Sequence, residues 1–171
     1  MAGDTLKSLQ RSVMRCEKCR LHKVARERVF GEGNIPADVL FIGEGPGITE
    51  DLMGRPFVGR AGREILRPIV KELAITAYYA NLVCCHPTDK IAGQNRKPKD
   101  DEVMACMDRL MRQVEIVHPK CIIVLGREPE RHLKDVFPGA AFAYHPAYVL
   151  RNRIALLTMR RQIVEAIDGK I

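Results

Sequence analysis

Tryptophan is missing from this sequence, and five Phe and four Tyr make up its whole aromatic complement. That scarcity speaks against a base-stacking sheet surface of the RNA-recognition kind. No apolar run approaches the roughly 20 residues a membrane span needs, so a soluble protein with no membrane partner is expected. Residues 1–15 hold no apolar core of signal-peptide length, and without an export signal the expected location is cytoplasmic. No internal repeat and no low-complexity segment is present either, so repeat architectures are set aside.

What remains has the composition of a globular domain. A hydrophobic share of 46% beside 29% charged residues is ordinary for one, and 171 residues suit one domain better than two. Lysine and arginine number 28 against 21 acids, a formal charge of +7 with a pI near 9.3. That balance is compatible with a polyanionic partner. Six cysteines without an export signal are read as metal or cluster candidates before disulfides.

Hydrophobic periodicity divides the chain into alternating elements. Residues 39–42, 78–83, 121–125 and 140–144 read as strands, the first three ending on Gly, Cys or Gly. Helical spacing predicts helices over 4–15, 62–73, 101–117, 127–136 and 152–171, the last with Ile154, Leu157, Ile163 and Ile167 on one stripe. Residues 145–151 read as a turn, and 88–100 as a surface loop long enough to be either functional or mobile. Strands separated by helices predict an α/β domain with a central, mainly parallel sheet covered on both faces.

Candidate chemistry collects at the strand ends, where α/β proteins place their ligands. Gly43-Glu-Gly-Pro-Gly47 closes the first strand, and Glu44, Glu50, Asp51 and Phe57 follow in what reads as one loop. Asn81 ends the second strand with a side chain that both donates and accepts, and His145 leaves the last one beside a proline. Each has an ordinary alternative: a surface loop, a turn-capping Asn, a structural His. Cys16 and Cys19 form a C-x-x-C, with Cys85 and Cys106 farther on. Four such thiolates suit zinc or a [4Fe-4S] cluster equally, and scattered buried or redox cysteines are the remaining reading. Cys121 sits in an apolar strand and is assigned to the core; strand alternation would turn Cys84 away from Cys85.

As a set, these pieces resemble the family 4 uracil-DNA glycosylases, iron-sulfur members of their superfamily. The resemblance rests on Gly43-Glu-Gly-Pro-Gly47 with Glu50-Asp51, Gly54-Arg-Pro-Phe-Val-Gly59-Arg-Ala-Gly62, Asn81-Leu-Val-Cys-Cys85 and His145-Pro-Ala-Tyr-Val-Leu-Arg151. It runs from Cys16 to Arg151. It implies a three-layer α/β/α sandwich with a four-stranded parallel sheet, and a [4Fe-4S] cluster on Cys16, Cys19, Cys85 and Cys106. The implied reaction is hydrolysis of the N-glycosidic bond of uracil in single- or double-stranded DNA by a monomer. Phe57 would stack on the flipped base and Asn81 would read its edge, with Gly43 and Gly45 framing the pocket. His145 would hydrogen-bond the departing uracil, and Glu50 and Glu44, with Asn95 as helper, would handle the water. The sequence departs from the family pattern in its longer 86–99 loop, its shorter 126–145 region, and the lack of a Pro/Ser-rich loop after Arg151. Two further readings stay open: a glycosylase of changed base or strand specificity, and a silent iron-sulfur DNA-binding protein of the same fold.

Overall fold

A computed structural model describes residues 5–171; Asp4, the first residue of the expected leading helix, lies outside them. Helix α1 (Leu6–Met14) begins where Thr5 Oγ1 accepts the Ser8 N–H, a side-chain cap of the usual kind. A single 3₁₀ turn, Arg20–Lys23, carries the chain to a two-residue strand β1 (Glu32–Gly33). Then come β2 (Val39–Gly43), α2 (Ile48–Met53), a π-helical turn Gly62–Leu66 continuing into α3 (Arg67–Glu72), and β3 (Ala77–Asn81). The second half holds α4 (Asp100–Val117), β4 (Cys121–Leu125), α5 (Arg127–Leu133), β5 (Ala141–Ala143), α6 (Pro146–Arg151) and α7 (Ala155–Ile167).

The sheet order is β1-β3-β2-β4-β5, with β3, β2, β4 and β5 parallel and β1 antiparallel at the edge. Five strands are thus present rather than four, because the Gly31-Glu-Gly33 turn lies flat enough against β3 to pair with it. Every residue of β2 and β3 is buried. Their side chains alternate between two cores: Val39 and Phe41 pack with Leu66, Met159 and Ile163, while Leu40 and Ile42 pack with Val103, Leu110 and Leu133. Helices therefore cover both faces, and the α/β/α layering expected from the sequence is present.

Other expectations need correction. Glu50 and Asp51 belong to α2, not to a loop: Gly47 starts that helix and Gly54, in left-handed conformation, ends it. Residues 146–151 form α6 rather than a turn, since Pro146 sits at its first position with its missing N–H harmless there. In α7 the buried stripe is Ala155, Met159, Ile163, Ala166 and Ile167, and Ile154 and Leu157 project outward. Cys84 does not point away from Cys85: β3 stops at Asn81, so strand alternation no longer governs its direction. Among the described residues no helix is long and apolar enough to cross a membrane.

The 88–99 loop is tied down. Glu102, 0% exposed near the start of α4, accepts Arg96 Nη1 and Nη2 at 2.8 and 2.7 Å and the Lys99 N–H at 2.8 Å. Burial alone would push this carboxyl up, but Arg96 and the Lys99 amide hold it below the usual range. Removing one partner of a buried ion pair leaves the other uncompensated, at a cost of about 3–5 kcal/mol. Glu102→Ala should accordingly lower the melting temperature and open residues 89–97 to limited proteolysis under conditions where the unaltered protein resists cleavage.

Candidate active site

Parallel strands end on one side of a sheet, and a cavity of about 410 Å³ lies there, within the range typical of small-ligand sites. Its walls include Gly45, Glu50, Phe57, Asn81, Asn95 and His145. These come from the turn after β2, from α2, the loop before the π turn, the end of β3, the 88–99 loop and the start of α6. Gly43 stands directly behind: a methyl group on it would lie 2.5 Å from Asn81 Oδ1 and 2.7 Å from Phe57 Cζ. Only glycine lets both side chains close over that strand end. Glu44 is not among the residues forming the wall. It lies where burial and then Glu128 push its carboxyl up, with Lys97 opposing.

Phe57 is held in a conformation that bulky residues avoid. Its φ is 51°, a left-handed backbone that costs on the order of 1–3 kcal/mol unless the surroundings enforce it. Arg67 enforces it, donating from Nε to the Phe57 carbonyl at 3.0 Å and from Nη2 to the Pro56 carbonyl at 2.9 Å. The same guanidinium lies 4.7 Å from the centre of the Tyr79 ring and pairs with Glu32. Glu32 comes from β1, so the short edge strand is what brings the anion to this clamp. Gly62 passes so close to the Phe57 backbone that any side chain there would collide with it.

Asn81 is buried and, among the described residues, its side-chain amide has no hydrogen-bond partner, which leaves both its ends for a ligand. His145 is fixed more tightly. Its Nδ1 accepts the Ala147 N–H at 3.1 Å as the N-cap of α6, so in the neutral ring the proton resides on Nε2. Burial, and secondarily the charge of Arg151, depress its pKa from 6.5 to about 4. At neutral pH the imidazole is an uncharged Nε2–H donor. Glu50 is half engaged: Oε1 accepts the Gly59 N–H at 2.7 Å, while Oε2 lies near Gly47. Asp51, grouped with these acids in the sequence, instead accepts the Arg26 and Glu27 backbone N–H groups at 2.9 and 3.3 Å.

A second cavity, of about 360 Å³, is walled by Cys16, Cys19, Cys85 and Cys106 together with Cys84. Among the described residues no three His, Cys, Asp or Glu side chains converge tightly enough to hold one metal ion. Arg28 and Arg109 also face this cavity, and both leave a buried Nε without a hydrogen-bond partner. A buried Arg109 and a half-buried Arg28 beside five thiols call for negative charge between them. Arg109 spans both regions: its Nη2 donates to the Asn81 and Leu82 carbonyls at 2.9 and 2.8 Å.

Glu32 and Arg67 were not singled out in the sequence; Gly59 entered only within the Gly54–Gly62 motif and His86 only as the residue after Cys85. Glu32 carried a local signal, a charge held between two glycines.

Fold and cavity define an α/β protein with its ligand crevice at the carboxyl ends of parallel strands, lined by an aromatic, an amide, an imidazole and a carboxylate. A sequence model described as the Uracil DNA glycosylase superfamily matches residues 30–168. The type-4 uracil-DNA glycosylase of Saccharolobus solfataricus is 41% identical over 133 residues, which cover 76% of this chain and 59% of that protein. The enzyme of the same name from Archaeoglobus fulgidus is 37% identical, covering 78% and 66%. That of Thermotoga maritima is 34% identical, covering 96% of this chain and 92% of its own length. The chain belongs to the uracil-DNA glycosylase superfamily, with the type-4 proteins as its kin. It spans less than two thirds of the two archaeal relatives.

The His145 shift has a consequence for stability. With a folded pKa of about 4 against 6.5 unfolded, the unfolded chain binds more protons between those values. The contribution is complete above pH 6.5 and is lost as pH falls toward 4. Comparing chemical denaturation of the parent and His145→Gln from pH 7 to 4 should show the parent losing about 2–3 kcal/mol more than the variant.

Proposed function

We propose that this protein hydrolyses the N-glycosidic bond of uracil in DNA, leaving an abasic site. One observation carries the reading: Phe57, Asn81 and His145, from segments far apart in the chain, line the same cavity as the half-free carboxylate of Glu50. A base inside a duplex is out of reach, so it must be turned out into a pocket at a cost of a few kcal/mol. Phe57, pre-set by Arg67, offers the extruded base a ring to stack on. Asn81 presents an acceptor to the uracil N3–H and a donor to O4; cytosine has the opposite pattern at both positions and leaves the amide unsatisfied.

As the bond breaks, its electron pair stays with uracil and the sugar becomes oxocarbenium-like. The neutral Nε2–H of His145 donates to the uracil O2 as charge builds there, with no proton needing to be supplied first. Water adds to the sugar carbon and gives its proton to a carboxylate. Glu50, on the cavity wall with Oε2 near Gly47, would take that proton, and Glu44, outside the wall with its pKa raised by burial, is the second candidate. Gly43 and Gly45 give the base room against the backbone.

Cys16, Cys19, Cys85 and Cys106 would hold a [4Fe-4S] cluster. The donor set fits: four thiols on one cavity, not converging on a single ion, beside two guanidinium groups whose Nε atoms are buried and unpaired. The group would supply cross-linking of the N-terminal segment, the end of β3 and α4, since hydrolysis needs no electron transfer. DNA is the partner, and the basic surface balance supports it.

Release of free uracil from single- and double-stranded oligonucleotides tests the reading directly. Asn81→Ala and His145→Leu should each lower turnover by roughly 10²- to 10³-fold, and Phe57→Ala should weaken base capture by about 1–3 kcal/mol. Retained binding with no uracil released by the parent protein would overturn it. Because His145 acts uncharged, kcat should show no acid limb near pH 6.5 attributable to it; such a limb, abolished in His145→Gln, would refute the donor assignment. Purified anaerobically, the protein should be brown and contain iron and sulfide; stoichiometric zinc instead would refute the cluster.

A further inference from the structure

We infer that His86 is a positioning residue that fixes the side-chain amide of Asn95 at the cavity; the catalytic use of that amide rests on the glycosylase reading above. His86 is 0% exposed. Its Nε2 lies 2.7 Å from Asn95 Oδ1. An amide oxygen only accepts, so Nε2 carries the proton and donates. The other nitrogen, Nδ1, is buried without a hydrogen-bond partner and faces Asp51 Oδ2 at 3.9 Å. Asp51, 2% exposed, is itself anchored through Oδ1 to two backbone N–H groups. The imidazole is thus lodged between a fixed carboxylate and the Asn95 amide.

The two ends of an Asn side chain have nearly the same shape, so the hydrogen bond at one end decides what the other presents. With Oδ1 held by His86, Nδ2 is directed to the acidic turn. A methyl group on Gly47 would lie 3.4 Å from Asn95 Nδ2 and 2.9 Å from Glu50 Oε2, which places donor and carboxylate around the same backbone atom. Asn95 can therefore donate to the water that Glu50 deprotonates, or to Glu50 itself. Water oxygen bonds to the sugar carbon, the carbon–nitrogen pair leaves with uracil, and the proton passes to Glu50; Asn95 orients and exchanges no proton.

The loop delivering Asn95 is built around this contact. Arg96 N donates to the Pro87 carbonyl at 2.9 Å, closing residues 87–96 on themselves, and the Arg96 side chain locks to Glu102. One residue away, among the described residues His86 alone hydrogen-bonds the Asn95 side chain.

The test compares His86→Leu, His86→Gln and Asn95→Ala. Gln carries its amide nitrogen as many bonds from Cβ as the His Nε2 and can replace the donor; Leu cannot. On uracil-containing oligonucleotides, His86→Leu should lose roughly 10- to 100-fold in kcat, the scale of a slightly misplaced group, with KM within about 2-fold. His86→Gln should recover most of it, and the His86→Leu/Asn95→Ala double variant should be no worse than Asn95→Ala. A full second loss in the double variant, or no recovery with Gln, would overturn the inference. A readout that needs no turnover is the Asn95 side-chain NH₂ pair in ¹H–¹⁵N spectra, identified by its loss in Asn95→Asp. The pair should exchange slowly with solvent at shifts away from those of a free amide, exchange fast at free-amide shifts in His86→Leu, and return in His86→Gln; signals indifferent to His86 would overturn the inference. Should the parent protein release no uracil, the glycosylase reading falls while the spectra still decide whether His86 orients Asn95.

Discussion

Four parallel strands, the two central ones β2 and β3 buried on both faces, impose the constraint on which this molecule depends: all of them end on the same side of the sheet. Gly43, Asn81, Gly126 and the residues after β5 arrive at one rim although they are separated by dozens of residues in the chain. The burial that makes the strands apolar throughout leaves their carboxyl ends as the place where polar side chains can meet without disturbing the core. Phe57, Asn81 and His145 share a wall because the ladder has only one direction.

The rim is made rigid by charge placed behind it. Glu32 holds Arg67, Arg67 holds the Phe57 carbonyl, and a φ that a Phe would otherwise avoid is kept. Glu102 holds Arg96 and with it the loop that carries Asn95. Arg109 reaches from the cysteine cavity to the carbonyl of Asn81. In each case a guanidinium, charged at any relevant pH and offering several donors in one plane, grips backbone or carboxylate oxygens that a Lys could not match geometrically. Flexible side chains at the cavity thereby become pre-set ones, the condition for positioning to contribute to rate.

The reach of sequence reasoning follows from this arrangement. The apolar strands, the helical stripe of α3, that of α4 apart from the exposed Met104, and the glycine-closed strand ends were legible, since short-range periodicity encodes them. Cys16, Cys19, Cys85 and Cys106, grouped by their spacing, line one cavity, which is as far as the structure carries that grouping. Helix α2 was missed because Gly47 and Gly54 bracket only six residues, too few to show a period. Cys84 was assigned to the wrong side because a period of two was carried past the point where β3 ends. Ile154 and Leu157 match a helical stripe by spacing, yet the sheet meets α7 along Ala155, Met159 and Ile163 instead. Asp51, adjacent in sequence to Glu50, turns to the opposite side of α2 and anchors the 26–27 backbone.

By itself the amino-acid order determined the alternating elements, the turns that only glycine allows and the inventory of chemical groups, because each depends on neighbours a few residues away. Tertiary structure alone decided that Glu32 would clamp Arg67, which ring nitrogen of His145 keeps its proton, and that a buried His86 would orient Asn95. Those outcomes depend on which oxygen or N–H lies about 3 Å from a given atom. That distance is set by packing between distant segments, and no local pattern records it.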